Sequence, residues 1–517
     1  MPVSAHQLLI GDVFTNAARA VPHRTAAVLG DRSLTFGEID TGADTVARTL
    51  RGLGIGPGER VVCWAGTTLD AVPLFAALAR LGALYAPVPG TLGVDEAAEL
   101  AAAVRPALVV TADRTPAETA RLGAAIGAPV RDLTAVVAAD AEAYGAAAAR
   151  GDAEAHGAVA ARDTEPHTST GLLETDPHCL FFSSGSTGRP KGIVLSHRVS
   201  FLRSHPGSQL EPRGAAVCSF PLFHMAAWTI SLQQWQARDT VVYLDHADGQ
   251  AIRAAVQTHR ATRLYCVPAV WQRVLDGDHA ALATLRFADT GTSAVTAGFL
   301  DAIRAAAPRA HLRVCYGSTE TGNVAALDGD GLRDHPHSIG VPGTSTEIRT
   351  SADGELQVRG PLLFDRYFDD PAATAAAFDD GWYRTGDLAE IDAAGRITLT
   401  GRLGELIRTG GETVLPQEVE ARLADHPAVA DAAVVGLPDP AWGEVVCAVV
   451  VPRDPGRPPS LQDLRRHLDG RLAAHKHPRL LRVVDELPRT PATGQVRRRL
   501  IAQRIAAAPP CRGVSSW

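Results

Sequence analysis

The sequence predicts an α/β fold for a large N-terminal domain, followed by a small α+β C-terminal domain. Helical patterns at Ala43–Leu53 and Leu69–Leu81 alternate with patterns of short buried strands at Arg60–Ala65 and Ala83–Val88. Such alternation is typical of βαβ units around a mostly parallel sheet. The pattern of apolar and polar residues changes near residue 400. A chain of 517 residues is long enough for about two or three domains.

The alternation continues through the middle of the chain. Strands are predicted at Cys179–Phe182, Arg263–Val267, Leu285–Gly291 and Leu312–Tyr316, and helices at Ala269–Leu275 and Thr296–Ala307. Ligands of open α/β sheets bind beyond the carboxyl ends of the strands. The segments that follow residues 182 and 316 are therefore the places where chemistry is expected.

The C-terminal part has short apolar runs and one amphipathic stretch. Strands are predicted at Ala432–Leu437, Val445–Val451 and Leu480–Leu487, and a helix at Leu461–Ala474. Residues 135–165 are rich in alanine and polar residues, which indicates a solvent-facing helix and connector. The tail after Ala506 contains Pro, Gly and Ser and is predicted to be frayed.

The composition argues against several classes of protein. The apolar share is 46% and the charged share 21%, as in soluble globular proteins, and the net charge of −7 argues against a nucleic-acid partner. No apolar run approaches the roughly 18 residues of a membrane-spanning helix. The seven cysteines form no CxxC pair, which argues against a disulfide framework or a zinc ribbon. Since Met1–Val13 lacks the pattern of a secretory signal, a cytoplasmic protein is expected.

Residues 181–192, FFSSGSTGRPKG, have the composition of an anion-binding loop. An apolar strand leads into hydroxyl residues, glycines and a lysine. Glycine lets backbone N–H groups approach an anion, hydroxyls add donors, and lysine supplies a point charge for phosphate oxygens. The spacing differs from that of a P-loop and from that of a nucleophile elbow. Lys191 is one of only two lysines among 50 basic residues. The candidate phosphate ligands are Ser183, Ser184, Gly185, Ser186, Thr187, Gly188 and Lys191.

This run resembles the signature of the adenylate-forming enzymes, which include acyl- and aryl-CoA ligases, luciferases and peptide-synthetase adenylation domains. Further matching segments recur in the family's order over nearly the whole chain, and they are most similar to those of the CoA ligases. The resemblance implies ATP and Mg²⁺ as cofactors and a carboxylic acid as substrate. The acid would be activated as acyl-AMP, and the acyl group would pass to CoA, a carrier protein or another acceptor.

The resemblance also assigns the nucleotide side of the site. Tyr316-Gly317-Ser318-Thr319-Glu320-Thr321 follows a strand, and an aromatic face, hydroxyls and a carboxylate suit adenine, phosphate and Mg²⁺. In the family, these positions implicate Tyr316 in adenine packing, Thr319 in phosphate contact and Glu320 in Mg²⁺ binding. Asp387 and Arg402 would bind the ribose. Gly291, Thr292, Gly317 and Ser318 are further nucleotide-site candidates.

The acid pocket is assigned to a second group of residues. Pro221-Leu222-Phe223-His224-Met225 resembles the family segment that places a histidine at the carboxylate end of the pocket. Met225, Trp228, Ser293 and Gly317 are the candidate pocket walls. Peptide synthetases usually carry an aspartate just beyond the histidine, whereas this chain has Met225-Ala226-Ala227-Trp228. An aromatic or apolar acid is therefore expected rather than an α-amino acid.

The resemblance divides the chain into residues 1–402 and a mobile domain of residues 403–517, with a hinge near Gly404. Relatives rotate the small domain between two half-reactions. Gly410 and Gly411 resemble the turn that lines the acceptor tunnel for pantetheine. Lys476 matches a lysine that family members carry before a proline, and we interpret it as a surface residue or a contact to CoA phosphate.

Gln495 is the main departure from the family. The pattern of Leu487–Arg498 places a lysine at this position, which bridges the acid and ATP during adenylation. Removing one preorganised electrostatic donor typically costs about 10²–10³ in rate. Three explanations remain open: slow adenylation with another cation compensating, activation of nitrite for an aminoaryl substrate as in diazotase-like relatives, or a nucleotide-binding protein that has lost adenylation.

Overall fold

The structure, a computed structural model, describes residues 7–138, 171–183, 190–205, 214–291, 295–335, 338–490 and 495–507. Its elements up to residue 138 are α1 (Ile10–Ala20), β1 (Thr25–Leu29), β2 (Arg32–Thr35), α2 (Phe36–Gly52), β3 (Arg60–Ala65), α3 (Ala71–Leu81), β4 (Leu84–Pro89), α4 (Val94–Ala103), β5 (Leu108–Thr111), α5 (Pro116–Ile126), β6 (Val130–Asp132) and α6 (Leu133–Ala138). These elements alternate between helix and strand, as the sequence predicts.

The next elements lead to residue 402. They are β7 (Pro177–Ser183), β8 (Lys191–Ser196), α7 (His197–Ser204), β9 (Ala216–Cys218), α8 (Met225–Gln236), β10 (Val241–Tyr243), α9 (Gly249–Thr258), β11 (Arg263–Tyr265), α10 (Pro268–Leu275), β12 (Phe287–Gly291), α11 (Ala297–Ala306), β13 (His311–Ser318), β14 (Gly322–Asp328), α12 (Gly329–Asp334), β15 (Ser338–Pro342), β16 (Glu347–Thr350), β17 (Glu355–Arg359), β18 (Arg366–Tyr367), α13 (Pro371–Ala376), β19 (Phe378–Asp379), β20 (Trp382–Ile391) and β21 (Ile397–Arg402). A short 3-10 helix spans His279–Leu282.

Two sheets form the large N-terminal part. The seven-stranded sheet has the order β18-β8-β7-β4-β3-β5-β6, and its central strands are parallel. The fourteen-stranded sheet runs β16-β17-β20-β21-β15-β14-β13-β12-β11-β9-β10-β1-β2, with β19 beside β20. Its strands from β1 through β10, β9, β11 and β12 to β13 are parallel. The predicted α/β class with parallel-rich sheets is confirmed.

Helix α3 is buried along its whole length within the core that joins the two sheets. Its eleven residues are all buried. The same apolar cluster contains residues of β3, β4 and β7 from one sheet and of β9 and β10 from the other. Arg80, the only charged residue of α3, is paired with Asp40 and Asp44, which compensates its burial. This core holds the strand ends that carry the candidate site in a fixed relation.

The C-terminal elements form a separate five-stranded sheet. They are β22 (Ile407–Thr409), β23 (Glu412–Val414), α14 (Pro416–Ala424), β24 (Val429–Asp439), β25 (Gly443–Pro452), α15 (Leu461–Leu468), β26 (Leu480–Val483) and α16 (Arg498–Ala507). The strand order is β23-β22-β25-β24, with β26 parallel to β25. A 3-10 turn, Leu403–Glu405, separates β21 of the large sheet from β22. The predicted domain boundary and hinge at this turn stay predictions.

The structure corrects two predicted elements of this part. The helix expected to reach Ala474 ends at Leu468, because Asp469 leaves the helical conformation and Gly470 adopts φ +71. The strand expected to reach Leu487 stops at Val483, and the exposed charged residues Asp485 and Glu486 follow. The predicted helix and connector of residues 135–165 lie outside the described residues beyond Ala138, as does the predicted frayed tail beyond Ala507.

Within the described residues, no helix combines the length and apolar character needed to cross a membrane.

Candidate active site

Asp387 joins Tyr316 and Arg402 in one hydrogen-bonded group. Asp387 and Arg402 pair across the antiparallel strands β20 and β21, and Tyr316 lies on β13. The Tyr316 hydroxyl donates to Asp387 Oδ2 at 2.5 Å, and Arg402 Nε donates to Oδ1 at 2.7 Å. Burial, together with Asp387, raises the pKa of the Tyr316 phenol, which keeps it a donor. The three residues assigned to the nucleoside are thus brought together, and each carboxylate oxygen keeps a lone pair for a ribose hydroxyl.

Two glycines let the backbone pass close to this group. A Cβ on Gly291 would lie 2.0 Å from the carbonyl oxygen of Cys315, and a Cβ on Gly317 would lie 1.9 Å from that of Gly322. Any larger residue would push β12 from β13, or β13 from β14. Both positions therefore require glycine for backbone packing, whatever further role the nucleotide gives them.

Arg203 on α7 holds the loop that carries Thr319 and Glu320. Its guanidinium donates to the carbonyl oxygens of Thr319, Glu320 and Leu362, each at 2.8 Å. Burial lowers the pKa of Arg203 to about 10, so it remains charged at neutral pH. The sequence reasoning missed this residue. The chain has 50 basic residues, of which two are lysines, and a single arginine among the other 48 gives no functional signal.

Glu320 and Lys191 meet at the side chain of Tyr367. The Tyr367 hydroxyl donates to Glu320 Oε1 at 3.3 Å, and the Lys191 ammonium lies 4.5 Å from the centre of the Tyr367 ring. The other oxygen of Glu320 has no hydrogen-bond donor among the described residues. A free carboxylate oxygen suits Mg²⁺, which is usually held by one or two carboxylates together with substrate phosphates. No cluster of three His, Cys, Asp or Glu side chains that could hold a metal occurs in the described part of the chain.

Part of the predicted phosphate loop is outside the described residues. Ser184, Gly185, Ser186, Thr187 and Gly188 belong to that part. Thr292, a nucleotide-site candidate, and Ser293, a pocket-wall candidate, also lie outside the described residues. The Ser183 backbone ends β7 and pairs with Lys191 at the start of β8. The two described ends of the loop are therefore held side by side by the antiparallel ladder.

His224 lies at the start of α8 with an apolar neighbourhood. Its Nδ1 accepts the backbone N–H of Ala226 at 3.4 Å, and its ring is 5.8 Å from that of Phe220. Burial lowers the pKa of His224 to about 4, so the imidazole is neutral near pH 7. Phe220 in turn makes an edge contact with Tyr265 on β11. His224 therefore lies among aromatic residues and is itself neutral.

The two other described pocket candidates differ in their surroundings. The Met225 sulfur accepts the Thr229 hydroxyl at 3.0 Å, and Met225 remains partly accessible. The Trp228 side chain is 2% exposed, stacks on Phe75 with ring centres 4.0 Å apart and donates to the Leu222 carbonyl. These contacts give Trp228 a packing role in the core, and its role as a pocket wall stays a prediction.

The small domain carries the predicted acceptor turn at the end of β22. Gly410 and Gly411 adopt φ +60 and +86, a conformation that favours glycine. The Gly410 N–H donates to the carbonyl of Trp442, and a Cβ on Gly410 would meet the Trp442 ring at 2.7 Å. The indole is 42% exposed, and the Arg479 guanidinium lies 3.7 Å from its centre. An exposed aromatic ring and a cation therefore flank the turn. Sequence reasoning predicted the turn but neither Trp442 nor Arg479.

The other lysine and Gln495 are placed on the small domain. Lys476 forms an ion pair with Glu418 at 2.6 Å, which supports the interpretation of a surface residue of this domain. Gln495 is exposed, and its carbonyl accepts the Thr490 N–H at 2.8 Å. Arg498, three residues later, is paired with Glu405 and Glu420. Because its guanidinium is already paired with two carboxylates, Arg498 does not replace the missing lysine in this arrangement.

Comparison with known proteins decides the family. The profile described as AMP-binding enzyme matches residues 14–368, and the profile of the AMP-binding enzyme C-terminal domain matches residues 418–493. The chain belongs to the AMP-binding enzyme family. The predicted resemblance to the adenylate-forming enzymes is therefore confirmed. In this chain, Tyr316 and the Lys191–Tyr367–Glu320 group lie within the first matched range, and Asp387 and Arg402 lie between the two matched ranges.

Curated relatives are similar over nearly the whole chain. An indoleacetate–CoA ligase of Aromatoleum aromaticum is 31% identical, with 94% of this chain and 96% of the relative covered. A feruloyl-CoA synthase of an Amycolatopsis species is 32% identical, with 93% and 97% covered. A 4-chlorobenzoate–CoA ligase of an Arthrobacter species is 32% identical, with 92% and 90% covered.

Solved structures show the same architecture. ATP-bound MatB from Rhodopseudomonas palustris superposes with a TM-score of 0.82 at 26% identity, and 96% of this chain and 99% of that chain are covered. The amide bond synthetase McbA from Marinactinospora thermotolerans superposes with a TM-score of 0.79 at 24% identity, with 96% and 99% covered. This similarity concerns the fold only.

Proposed function

We propose that this protein activates an aromatic or apolar carboxylic acid with ATP and passes the acyl group to CoA. The observation that carries the proposal is the meeting of Lys191 and Glu320 at Tyr367. In the same domain, Asp387 accepts hydrogen bonds from Tyr316 and Arg402, while Lys191 and Glu320 contact Tyr367. A cation for phosphate thus comes from the seven-stranded sheet, whereas the carboxylates for Mg²⁺ and ribose come from the fourteen-stranded sheet and its β13–β14 loop.

The first step would form an acyl adenylate. A carboxylate oxygen of the acid attacks the α-phosphorus of ATP, the bond to the β-phosphate oxygen breaks, and pyrophosphate leaves. Lys191 would neutralise phosphate charge, and Glu320 would hold Mg²⁺ through ATP. The metal supplies charge neutralisation of the phosphates. Tyr316, Asp387 and Arg402 would hold the nucleoside so that the α-phosphate meets the acid, and positioning of this kind supplies much of the rate enhancement.

The acid is proposed to be aromatic because of the groups near the end of β9. Phe220 and Tyr265 form an edge-to-face pair, and His224 is neutral near pH 7 because burial lowers its pKa to about 4. The segment Met225-Ala226-Ala227-Trp228 offers no carboxylate for a substrate amine. The relatives named above act, by their names, on indoleacetate, ferulate and 4-chlorobenzoate. These observations support an aryl or arylalkyl carboxylic acid.

The second step would transfer the acyl group. The thiol of CoA attacks the acyl carbonyl, AMP leaves with the bonding electron pair, and the thiol proton passes to solvent. The Gly410-Gly411 turn provides a close backbone approach, and the exposed Trp442 ring with Arg479 provides stacking and positive charge for the nucleotide part of CoA. The CoA ligase relatives support this acceptor over a carrier protein.

Gln495 supports a second candidate, a nucleotide-binding protein without adenylation. A neutral, exposed amide occupies the position of the bridging lysine, and Arg498 is paired with Glu405 and Glu420. We favour slow adenylation, because the large domain retains the other assigned groups. Activation of nitrite for an aminoaryl substrate stays a prediction that no observation favours. A cytoplasmic location also stays a prediction.

Product analysis tests the proposal. Wild-type protein is incubated with Mg·ATP, CoA and, in separate reactions, indole-3-acetate, ferulate, 4-chlorobenzoate or octanoate, and AMP, pyrophosphate and thioester are measured. The proposal predicts thioester with at least one aromatic acid. Further reactions with nitrite and an aminobenzoate, without CoA, test the diazotase alternative. Binding of ATP without product in any reaction would support the second candidate.

A further inference from the structure

The segment Phe364–Phe368 ties the strand of Lys191 to the loop of Glu320. At one end, the Phe364 N–H donates to the Glu320 carbonyl at 2.7 Å. At the other end, the Phe368 N–H donates to the Gly192 carbonyl at 2.7 Å. Between them, β18 pairs antiparallel with β8, with Tyr367 opposite Ile193. The backbone of this segment therefore fixes the distance between the two elements that carry the phosphate and metal candidates.

The side chain of Tyr367 contacts both functional groups. Its ring lies under the Lys191 ammonium at 4.5 Å, and its hydroxyl donates to Glu320 Oε1 at 3.3 Å. No carboxylate in the described ranges pairs with Lys191. Burial and the nearby Glu320 and Tyr367 raise the pKa of the Tyr383 phenol, which places a second protonated phenol beside this group.

The Tyr367 ring is itself held firmly. The residue is 6% exposed, its ring centre lies 4.8 Å from that of Phe364, and its backbone N–H donates to the Thr374 hydroxyl at 3.0 Å. Burial and the nearby Glu320 raise the pKa of the Tyr367 phenol, so it remains protonated and can donate at neutral pH. A rigid side chain with an unchanging donor is suited to orienting a neighbour.

We propose that Tyr367 is a positioning residue that orients Lys191 toward the ATP phosphates through its ring and Glu320 toward Mg²⁺ through its hydroxyl. This inference rests on the proposed function and assigns the two contacts to different parts of one side chain. The ring attracts the ammonium without neutralising it, which leaves its charge for phosphate. The hydroxyl occupies one oxygen of Glu320 and directs the other toward the metal, as outer-shell donors do for metal-ligating carboxylates.

Two variants separate these contacts. Tyr367→Phe removes the hydroxyl and keeps the ring, whereas Tyr367→Leu removes both. Tyr243→Phe is the matched control, because it removes a buried hydroxyl that contacts Ser231 at 2.6 Å outside the site. ATP binding to each full-length protein is measured by calorimetry without metal and across a Mg²⁺ titration, and thermal unfolding verifies that each variant is folded. No acid is required for this measurement.

The proposal predicts a split between the two variants. Tyr367→Phe should bind metal-free ATP like the wild type but need about tenfold more Mg²⁺ for half-saturation of the metal effect. Tyr367→Leu should show the same defect and, in addition, bind metal-free ATP about fivefold more weakly. Tyr243→Phe should match the wild type in both measurements.

Two results would contradict the role of Tyr367: an unchanged Mg²⁺ requirement in Tyr367→Phe, or unchanged metal-free ATP affinity in Tyr367→Leu. Either result beside a wild type that binds ATP would leave the proposed function standing. A wild type that does not bind ATP would instead contradict the proposed function itself.

Discussion

The large domain and the end of the small domain hold their candidate site residues in different ways. In the large domain, Asp387 is fixed by Tyr316 and Arg402, and Glu320 is fixed by Tyr367 and, through its backbone, by Arg203. In the small domain, Gln495 is exposed and has no charge to offer. Under the proposed function, nucleotide binding would depend on the large domain, whereas the electrostatic contribution of the small domain to adenylation would be weakened. Binding and chemistry should therefore respond to different substitutions.

The largest effect is expected from restoring a lysine at position 495. Gln495→Lys should raise the single-turnover rate of acyl-adenylate formation by about 10²–10³, because it returns a preorganised charge to the reacting groups. AMP affinity should remain that of the wild type, because the residue lies outside the large domain's nucleotide group. Rapid-quench analysis of pyrophosphate release and AMP titration measure the two quantities.

Gln495→Glu is the matched control for this change. It keeps the size of the side chain and introduces the opposite charge, so it should slow adenylation below the wild-type rate. Equal rates for the lysine and glutamate variants would show that position 495 does not reach the reacting atoms.

Low pH tests the stability of the core behind the large-domain site. His178 and His197 stack with ring centres 4.9 Å apart, and His197 Nδ1 accepts the Ile10 N–H. Burial lowers the pKa of His197 to about 4, against 6.5 for the free side chain, and places that of His178 well below its usual value, while Asp176 acts in the opposite direction on His197. The unfolded chain therefore takes up protons first as the pH falls.

His197 alone should accordingly lower the free energy of unfolding by about 3 kcal/mol as the pH falls from 6.5 to 4. Above pH 6.5 this contribution to stability is fully present. Urea unfolding at stepped pH measures this loss. His197→Gln should have a shallower dependence than the wild type, whereas the same change at the exposed His23 should leave the dependence unaltered. Parallel curves for the wild type and His197→Gln would contradict the assignment.

Asp387→Asn tests the nucleotide side of the large-domain site. The change removes the charge that accepts from Tyr316 and Arg402, and hydrogen bonds to charged groups contribute about 1.5–3 kcal/mol each. AMP affinity should fall about 10- to 100-fold by calorimetry. Asp392→Asn, in the exposed turn after the same strand, is the control and should bind AMP like the wild type. An Asp387 variant with normal affinity would remove this residue from the nucleotide site.

The smallest expected effect is at the acceptor side. Trp442→Ala removes an exposed ring that contacts Gly410 and Arg479. Because an exposed cation–aromatic contact contributes about 0.5–1 kcal/mol, the KM for CoA should rise about three- to fivefold. Acid-dependent pyrophosphate release without CoA should not change. A loss of that release as well would place Trp442 in the first half-reaction.

Local patterns predicted much of the fold, because they depend on neighbouring residues. The strand Arg60–Ala65 has the predicted bounds, and Tyr316 and Asp387 lie on β13 and β20, where their side chains are hydrogen-bonded to each other. Arg203 and Tyr367 could not be predicted. Their roles arise from contacts with residues 116 and 176 positions away in the chain, and such contacts depend on the tertiary fold. Trp228 was predicted from the sequence as a pocket wall, but in the structure its ring packs into the core against Phe75.

The most direct test of the account is acid-dependent exchange of labelled pyrophosphate into ATP by the wild type, without CoA, beside AMP binding by the same preparation. Exchange isolates the first half-reaction from acceptor transfer. We expect AMP binding together with slow exchange that requires an aromatic acid. AMP binding with no exchange for any acid would contradict it and leave a nucleotide-binding protein in place of an enzyme.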